Sequence, residues 1–215
     1  MADIICIMGE SGAGKTTSMR HLDPKKTMYV DCDKKGLSWK GWKGQYHPEY
    51  KNYVKTDYPQ VALQLLRKVN EEEMFRHITV VVVDTINGLM IADEMRRSRE
   101  KGYDKWQDLA QSIYELIDYS LTMRDGLTIV FTAHTQTEHD DNGYLFTRIK
   151  TSGRKLDKIT LESKFSTVLL AKCVDGKYVF ETQANFSTAK SPLGVLEEKV
   201  IDNDIVKVIE ALQEF

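Results

Sequence analysis

The chain has 215 residues, and 30 Lys and Arg against 32 Asp and Glu give a formal charge of −2. That length suits one domain with one sizeable core, and the charge balance disfavours coating nucleic acid by bulk positive charge while leaving room for a local basic groove. A hydrophobic share of 41% with 4 prolines argues against disorder, and the apolar runs are strand-sized, short of the roughly 20 residues of a membrane span.

In chain order, residues 3–8 read as a short buried strand and residues 9–14 as a glycine-rich turn. Residues 15–21 have helix-compatible character, ended by Asp23-Pro24. Residues 27–30 form a second strand, closed by Asp31-Cys32-Asp33, and a polar, aromatic-rich segment follows over residues 34–58. Within it, Trp39 and Trp42 with interleaved lysines suit either base stacking or packing on the domain edge, and packing is the favoured reading. Pro59 stands where a helix can begin, with Val61, Leu65, Leu66 and Val69 at helical spacing. Residues 78–83 are apolar without alternation, as a parallel strand covered on both faces should be. Helices are predicted over residues 87–100 and 106–124, a buried strand over 127–133, and a polar loop over 135–144. Residues 167–171 and 177–182 form a hairpin around Asp175-Gly176, and residues 204–212 a closing helix. The fold class is α/β: a single domain over residues 1–215, with a mainly parallel central sheet flanked by helices and an antiparallel hairpin at one edge. Cys6, Cys32 and Cys173 are widely spaced and give neither a disulfide framework nor a zinc spacing. With no basic leader before the first strand, the expected compartment is a reducing cytosol.

The chemistry-bearing motif is Gly9-Glu10-Ser11-Gly12-Ala13-Gly14-Lys15-Thr16, followed by Thr17. It fits the phosphate-loop pattern G-x-x-x-x-G-K-[ST] between a strand and a predicted helix. Backbone N–H groups freed by the glycines curl around phosphate oxygens, and a following helix N-terminus adds its dipole. Lys15 then reaches the β and γ phosphates of ATP, and the Thr16 hydroxyl holds Mg²⁺. Asp84 ends the apolar strand and suits the second acidic position of such sites, near Mg²⁺. The next residue is Thr85, so the base that orients water has to come from elsewhere. Asp31 and Asp33, beyond the second strand, are the candidates, and either could instead cap the turn before Gly36.

The phosphate loop, the strand ending at residues 30–36, Asp84, the segment 102–109 and the strand ending Val130-Phe131-Thr132-Ala133-His134 together resemble the RecA-like P-loop NTPases. Within these, the chain resembles the small, core-only phage members linked to recombination and single-strand annealing. Residues 187–192 add a looser likeness. The resemblance covers residues 3–194. It implies a DNA-stimulated ATPase with Asp33 as the catalytic acid and His134 as γ-phosphate sensor, Gln136 lying two residues on. It also implies self-association, with ATP at the subunit interface and Lys190 reaching a neighbouring subunit's nucleotide. Single-stranded DNA would be bound by two loop regions, one with Arg96, Arg97, Arg99 and Lys101, the other with Arg148, Lys150, Arg154 and Lys155. A phage annealing or single-strand binding protein is an implied partner, in the host cytoplasm. Two other functions use the same loop: a small-molecule kinase, and a nucleotide-gated scaffold or helicase loader with little turnover.

Overall fold

The structure, a computed structural model, describes residues 1–102, 104–139, 142–151 and 160–215. An eight-stranded sheet forms its centre. The strands are β1 (Asp3–Met8), β2 (Thr27–Asp31), β3 (Tyr53–Lys55), β4 (Val80–Asp84), β5 (Thr128–Ala133), β8 (Thr167–Val174), β9 (Lys177–Glu181) and β10 (Val200–Asp202), in the order β10-β9-β8-β1-β5-β4-β2-β3. The six from β8 to β3 run parallel, while β9 and β10 add antiparallel at one edge. Asp175 (φ 50°) and Gly176 (φ 77°) make the left-handed turn between β8 and β9, which matches the twist of a tight hairpin.

The missing alternation in the strands follows from cover on both faces. Ile4, Cys6 and Met8 of β1 point into one core with Val81, Val83, Ile129 and Phe131. That core is closed by α2 (Pro59–Glu71), α3 (Ile86–Arg96) and α4 (Asp104–Leu121). Ile5 and Ile7 point into the other, with Val82, Val130 and Leu169, under α5 (Ile205–Gln213) and the aromatic segment. There Trp39 and Tyr46 pack edge-on against Tyr29 at 6.5 and 5.5 Å between ring centroids, and Trp42 lies 5.5 Å from Tyr53. Trp39 Nε1 also donates to Gln45 Oε1. The packing expectation for both tryptophans therefore holds, and α1 (Trp42–Gln45) is a short turn inside this cluster.

Two expectations need correction. The helix expected over residues 15–21 is only a 3-10 turn, Thr17–Met19. Ser18 competes for a backbone partner, its Oγ donating to Lys15 O at 2.6 Å, while the Thr16 and Thr17 hydroxyls are turned to Asp84 and Ser38; Pro24 closes the segment soon after. The polar loop expected over 135–144 contains a strand, β6 (Thr135–His139), paired antiparallel with β7 (Leu145–Ile149) in a separate two-stranded sheet. Among the described residues no helix is long and apolar enough to cross a membrane.

Candidate functional site at the C-terminal ends of the parallel strands

The tips of β1, β2, β4 and β5 gather the expected residues. The loop after β1 turns through Gly12 (φ 81°) and Gly14 (φ 93°), conformations that favour glycine. A Cβ on Gly9 would sit 2.8 Å from Ala171 O, so β8 fixes the start of the loop, while the Cβ direction of Gly12 meets nothing within 4 Å. The open side at Gly12 leaves room for phosphate oxygens, while at Gly14 a Cβ would meet the Tyr178 ring at 2.8 Å. Because only a 3-10 turn follows, backbone N–H groups and Lys15 must carry the attraction, without the dipole of a long helix. Lys15 is buried and folds back, its Nζ donating to Gly9 O at 2.7 Å and Glu10 O at 2.8 Å. Burial pulls its pKa down, and the Asp84 carboxylate opposes that shift.

Asp84 is 3% exposed. It accepts from Thr16 Oγ1 at 2.8 Å, Tyr29 Oη at 2.7 Å and Thr132 Oγ1 at 2.5 Å. The loop threonine and the strand-end acid thus meet, although they are 68 residues apart. β5 lies between β1 and β4, and neighbouring strands are about 4.8 Å apart, so the acid stands two strands from the loop and β5 delivers His134 between them. The Asp84–Thr85 peptide is cis. The oxygen pair Thr16–Asp84 fits a hard divalent cation that keeps water and phosphate as its other ligands, the usual habit of Mg²⁺. Among the described residues no cluster of three or more His, Cys, Asp or Glu forms a self-sufficient metal cage.

The two candidate bases separate cleanly. Asp31 is 2% exposed and is occupied by Gly36 N at 2.8 Å and Tyr53 Oη at 2.6 Å; it caps the turn. Asp33 is partly exposed and faces the site. Its Oδ1 accepts from Thr85 Oγ1 at 3.2 Å, and its Oδ2 pairs with Lys35 Nζ at 2.5 Å. Thr85 also accepts from Gly88 N at 3.0 Å as the N-cap of α3, so one side chain both starts that helix and positions Asp33. Sequence reasoning did not identify Gly88, where a Cβ would lie 2.5 Å from Asp33 Oδ1. Nor did it identify Asn87, which accepts from His134 N at 2.7 Å and donates to Lys150 O at 2.9 Å. The signal was an Asn-Gly pair in the first turn of a helix directly after a strand-end acid. His134 is half-buried. Burial, then the Lys15 charge, lowers its pKa, so its imidazole is neutral at pH 7. Glu10 is held by Thr135 Oγ1 at 2.8 Å, which joins the phosphate loop to β6.

Lys190 is not brought to this chain's own loop. Its backbone exchanges hydrogen bonds with Val168 at 2.8 Å each way, level with the middle of β1. Of the residues expected on DNA, Arg99, Lys101 and Lys150 are exposed. Arg96 lies 3.9 Å over the Tyr58 ring and pairs with Asp57 at 3.2 Å. Arg97 bonds Glu100 at 2.8 Å and Asp108 at 3.0 Å. Arg148 is 12% exposed between Glu138 and Glu162. Arg154 and Lys155 lie outside the described residues. A cavity of about 600 Å³ lined by Pro24, Gln45, Tyr50 and Phe75 lies at the opposite ends of the strands and touches none of the expected residues.

A family model described as an AAA domain matches residues 2–192. A search among curated proteins finds no match.

Proposed function

Because the chain belongs to the AAA-domain family of P-loop ATPases, we propose that it binds ATP with Mg²⁺ in the loop of residues 9–17 and hydrolyses it. We also propose that turnover is coupled to single-stranded DNA, in recombination or annealing of the RecA-like kind. The observation that carries the reading is the 2.8 Å bond between Thr16 and Asp84, which creates one oxygen-lined corner beside Lys15.

In that reading Lys15 leaves the Gly9 and Glu10 carbonyls for the β and γ phosphates. Bound Mg²⁺ would supply positive charge to the same phosphate oxygens. Asp33 orients a water whose oxygen bonds the γ-phosphorus as the bond from that phosphorus to the bridging oxygen breaks. The electron pair of that bond stays on ADP, and the proton of the water goes to Asp33. Neutral His134 donates a hydrogen bond to a γ-phosphate oxygen. Exposed Arg99, Lys101 and Lys150, with exposed Tyr144 at the foot of β7, offer phosphate contacts and an aromatic face for a single strand. Lys190 completes the site of a neighbouring subunit.

ATP turnover with and without single-stranded DNA tests this reading, with sedimentation to follow assembly. The expected result is hydrolysis raised by DNA and lost in Lys15→Ala. Turnover that ignores DNA would refute the strand coupling, and phosphate transfer to a nucleoside acceptor would replace hydrolysis by a kinase reaction.

A further inference from the structure

Lys35 has no role in the chemistry described so far, yet the turn that carries it is heavily built. Lys34 adopts φ 58°, unfavourable for a side-chain-bearing residue. It is held there by an ion pair with Asp57 at 2.5 Å, and Asp57 is held in turn by Arg96. Gly36 (φ 85°) closes the turn, its N–H donating to buried Asp31. These anchors hold Lys34 against Asp57, beyond the end of β3, and leave Lys35 paired with Asp33 beside Thr85. Lys35 Nζ sits 2.5 Å from Asp33 Oδ2, with the Lys35 side chain 55% exposed and that of Asp33 19% exposed. Asp33 has a second anchor in Thr85, whereas the lysine sits on a flexible stem with three donors.

The pair belongs to the same electrostatic cluster as the phosphate loop. The charges of both Lys35 and Asp33 are felt at Lys15 and at His134. A carboxylate in a tight ion pair offers its lone pairs to the ammonium rather than to a water proton. An arriving triphosphate carries more negative charge than a single carboxylate and competes for the same ammonium.

Building on the ATP-site reading above, we propose that Lys35 is a nucleotide-responsive cation acting within its own chain. Without a γ-phosphate it neutralises Asp33. When ATP arrives it moves to a γ-phosphate oxygen and frees Asp33, still fixed by Thr85, to take the proton of the attacking water. Lys35 is then a catalytic residue that touches substrate, and the exchange makes the base available only when there is a bond to cleave.

The test is a double-mutant cycle read as the ratio of ADP to ATP dissociation constants, measured with magnesium and a fluorescent analogue of each nucleotide. Lys35→Met is expected to lower the wild-type preference for ATP at least 10-fold and to lower kcat, with ADP affinity unchanged as the control for folding. Lys35→Arg restores the preference. Asp33→Asn releases Lys35 in advance and raises the preference for ATP, and it does so only while Lys35 is present. Additive effects of the two substitutions, or an unchanged ratio in Lys35→Met, would overturn the exchange. Failure of the wild-type chain to bind either nucleotide would overturn the ATP-site reading as well, and so separates the two.

Discussion

Gly88→Ala sets two physical effects of opposite sign against each other. In a helix interior Gly→Ala is stabilising by about 1 kcal/mol, which is an upper bound for Gly88 in the first turn of α3. At this position the new Cβ would lie 2.5 Å from Asp33 Oδ1, 2.9 Å from Cys32 O and 3.0 Å from Cys32 C. The carboxylate can rotate, but the Cys32 backbone is tied by its N–H to Asp84 O at 2.7 Å and cannot retreat without moving β2. Overpacking of this kind costs about 1–3 kcal/mol. The net effect is a loss of up to about 2 kcal/mol, and with about 2–4 °C per kcal/mol for a chain of this size the midpoint falls by up to about 8 °C. The functional consequence is larger, because the clash pushes Asp33 off Thr85. A displacement of about 1 Å in a catalytic group costs roughly 100-fold. Thermal melting paired with steady-state turnover checks both effects: kcat should fall at least about 10-fold while ATP affinity holds. A raised midpoint with unchanged kcat would refute the packing of α3 against Asp33.

Two further outcomes follow from the same geometry. Asp31→Asn removes the buried charge that accepts from Tyr53 and Gly36. It should cost about 1.5–3 kcal/mol in urea unfolding and leave turnover per folded molecule intact, whereas loss of turnover without loss of stability would return Asp31 to the list of bases. His134 should titrate below its ordinary value of 6.5, because burial and Lys15 both disfavour its charged form. The unfolded chain therefore binds more protons as pH falls through about 6.5, so this contribution to stability is complete above that value and is lost below it. NMR titration of the ring reads this directly, and a midpoint above 6.5 would contradict it.

The phosphate loop and Asp84 were legible because each depends on local pattern: glycines before a lysine, and an acid ending an apolar run. The sheet was legible for the same reason, since Ile4 to Met8 and Val80 to Val83 alternate between two cores and so never look amphipathic. Which of Asp31 and Asp33 is buried was not legible. Two acids two residues apart differ only in which one meets Tyr53 and Gly36, and that is set by the pairing of β2 with β3. Arg96 reads as a free cation in a basic run, yet its carboxylate partner Asp57 comes from the segment before α2. β6 escaped notice because Thr135 to His139 is polar throughout, with partners on β7 rather than in the main sheet. The missing helix after the loop shows how hydroxyl side chains override a helix-compatible composition: Ser18 bonds Lys15 O instead of leaving it to a helical ladder.

The central claim is that the tips of β1, β2, β4 and β5 form one site in which Asp33 activates water against ATP. Phosphate release from ATP and Mg²⁺ by the wild-type chain and by Asp33→Asn, with nucleotide binding measured on both, tests it most directly. The expected result is turnover in the wild type and a loss of about 100-fold or more in the variant, with ATP still bound. Equal turnover in the two proteins, or tight ATP binding by the wild type without phosphate release, would contradict it.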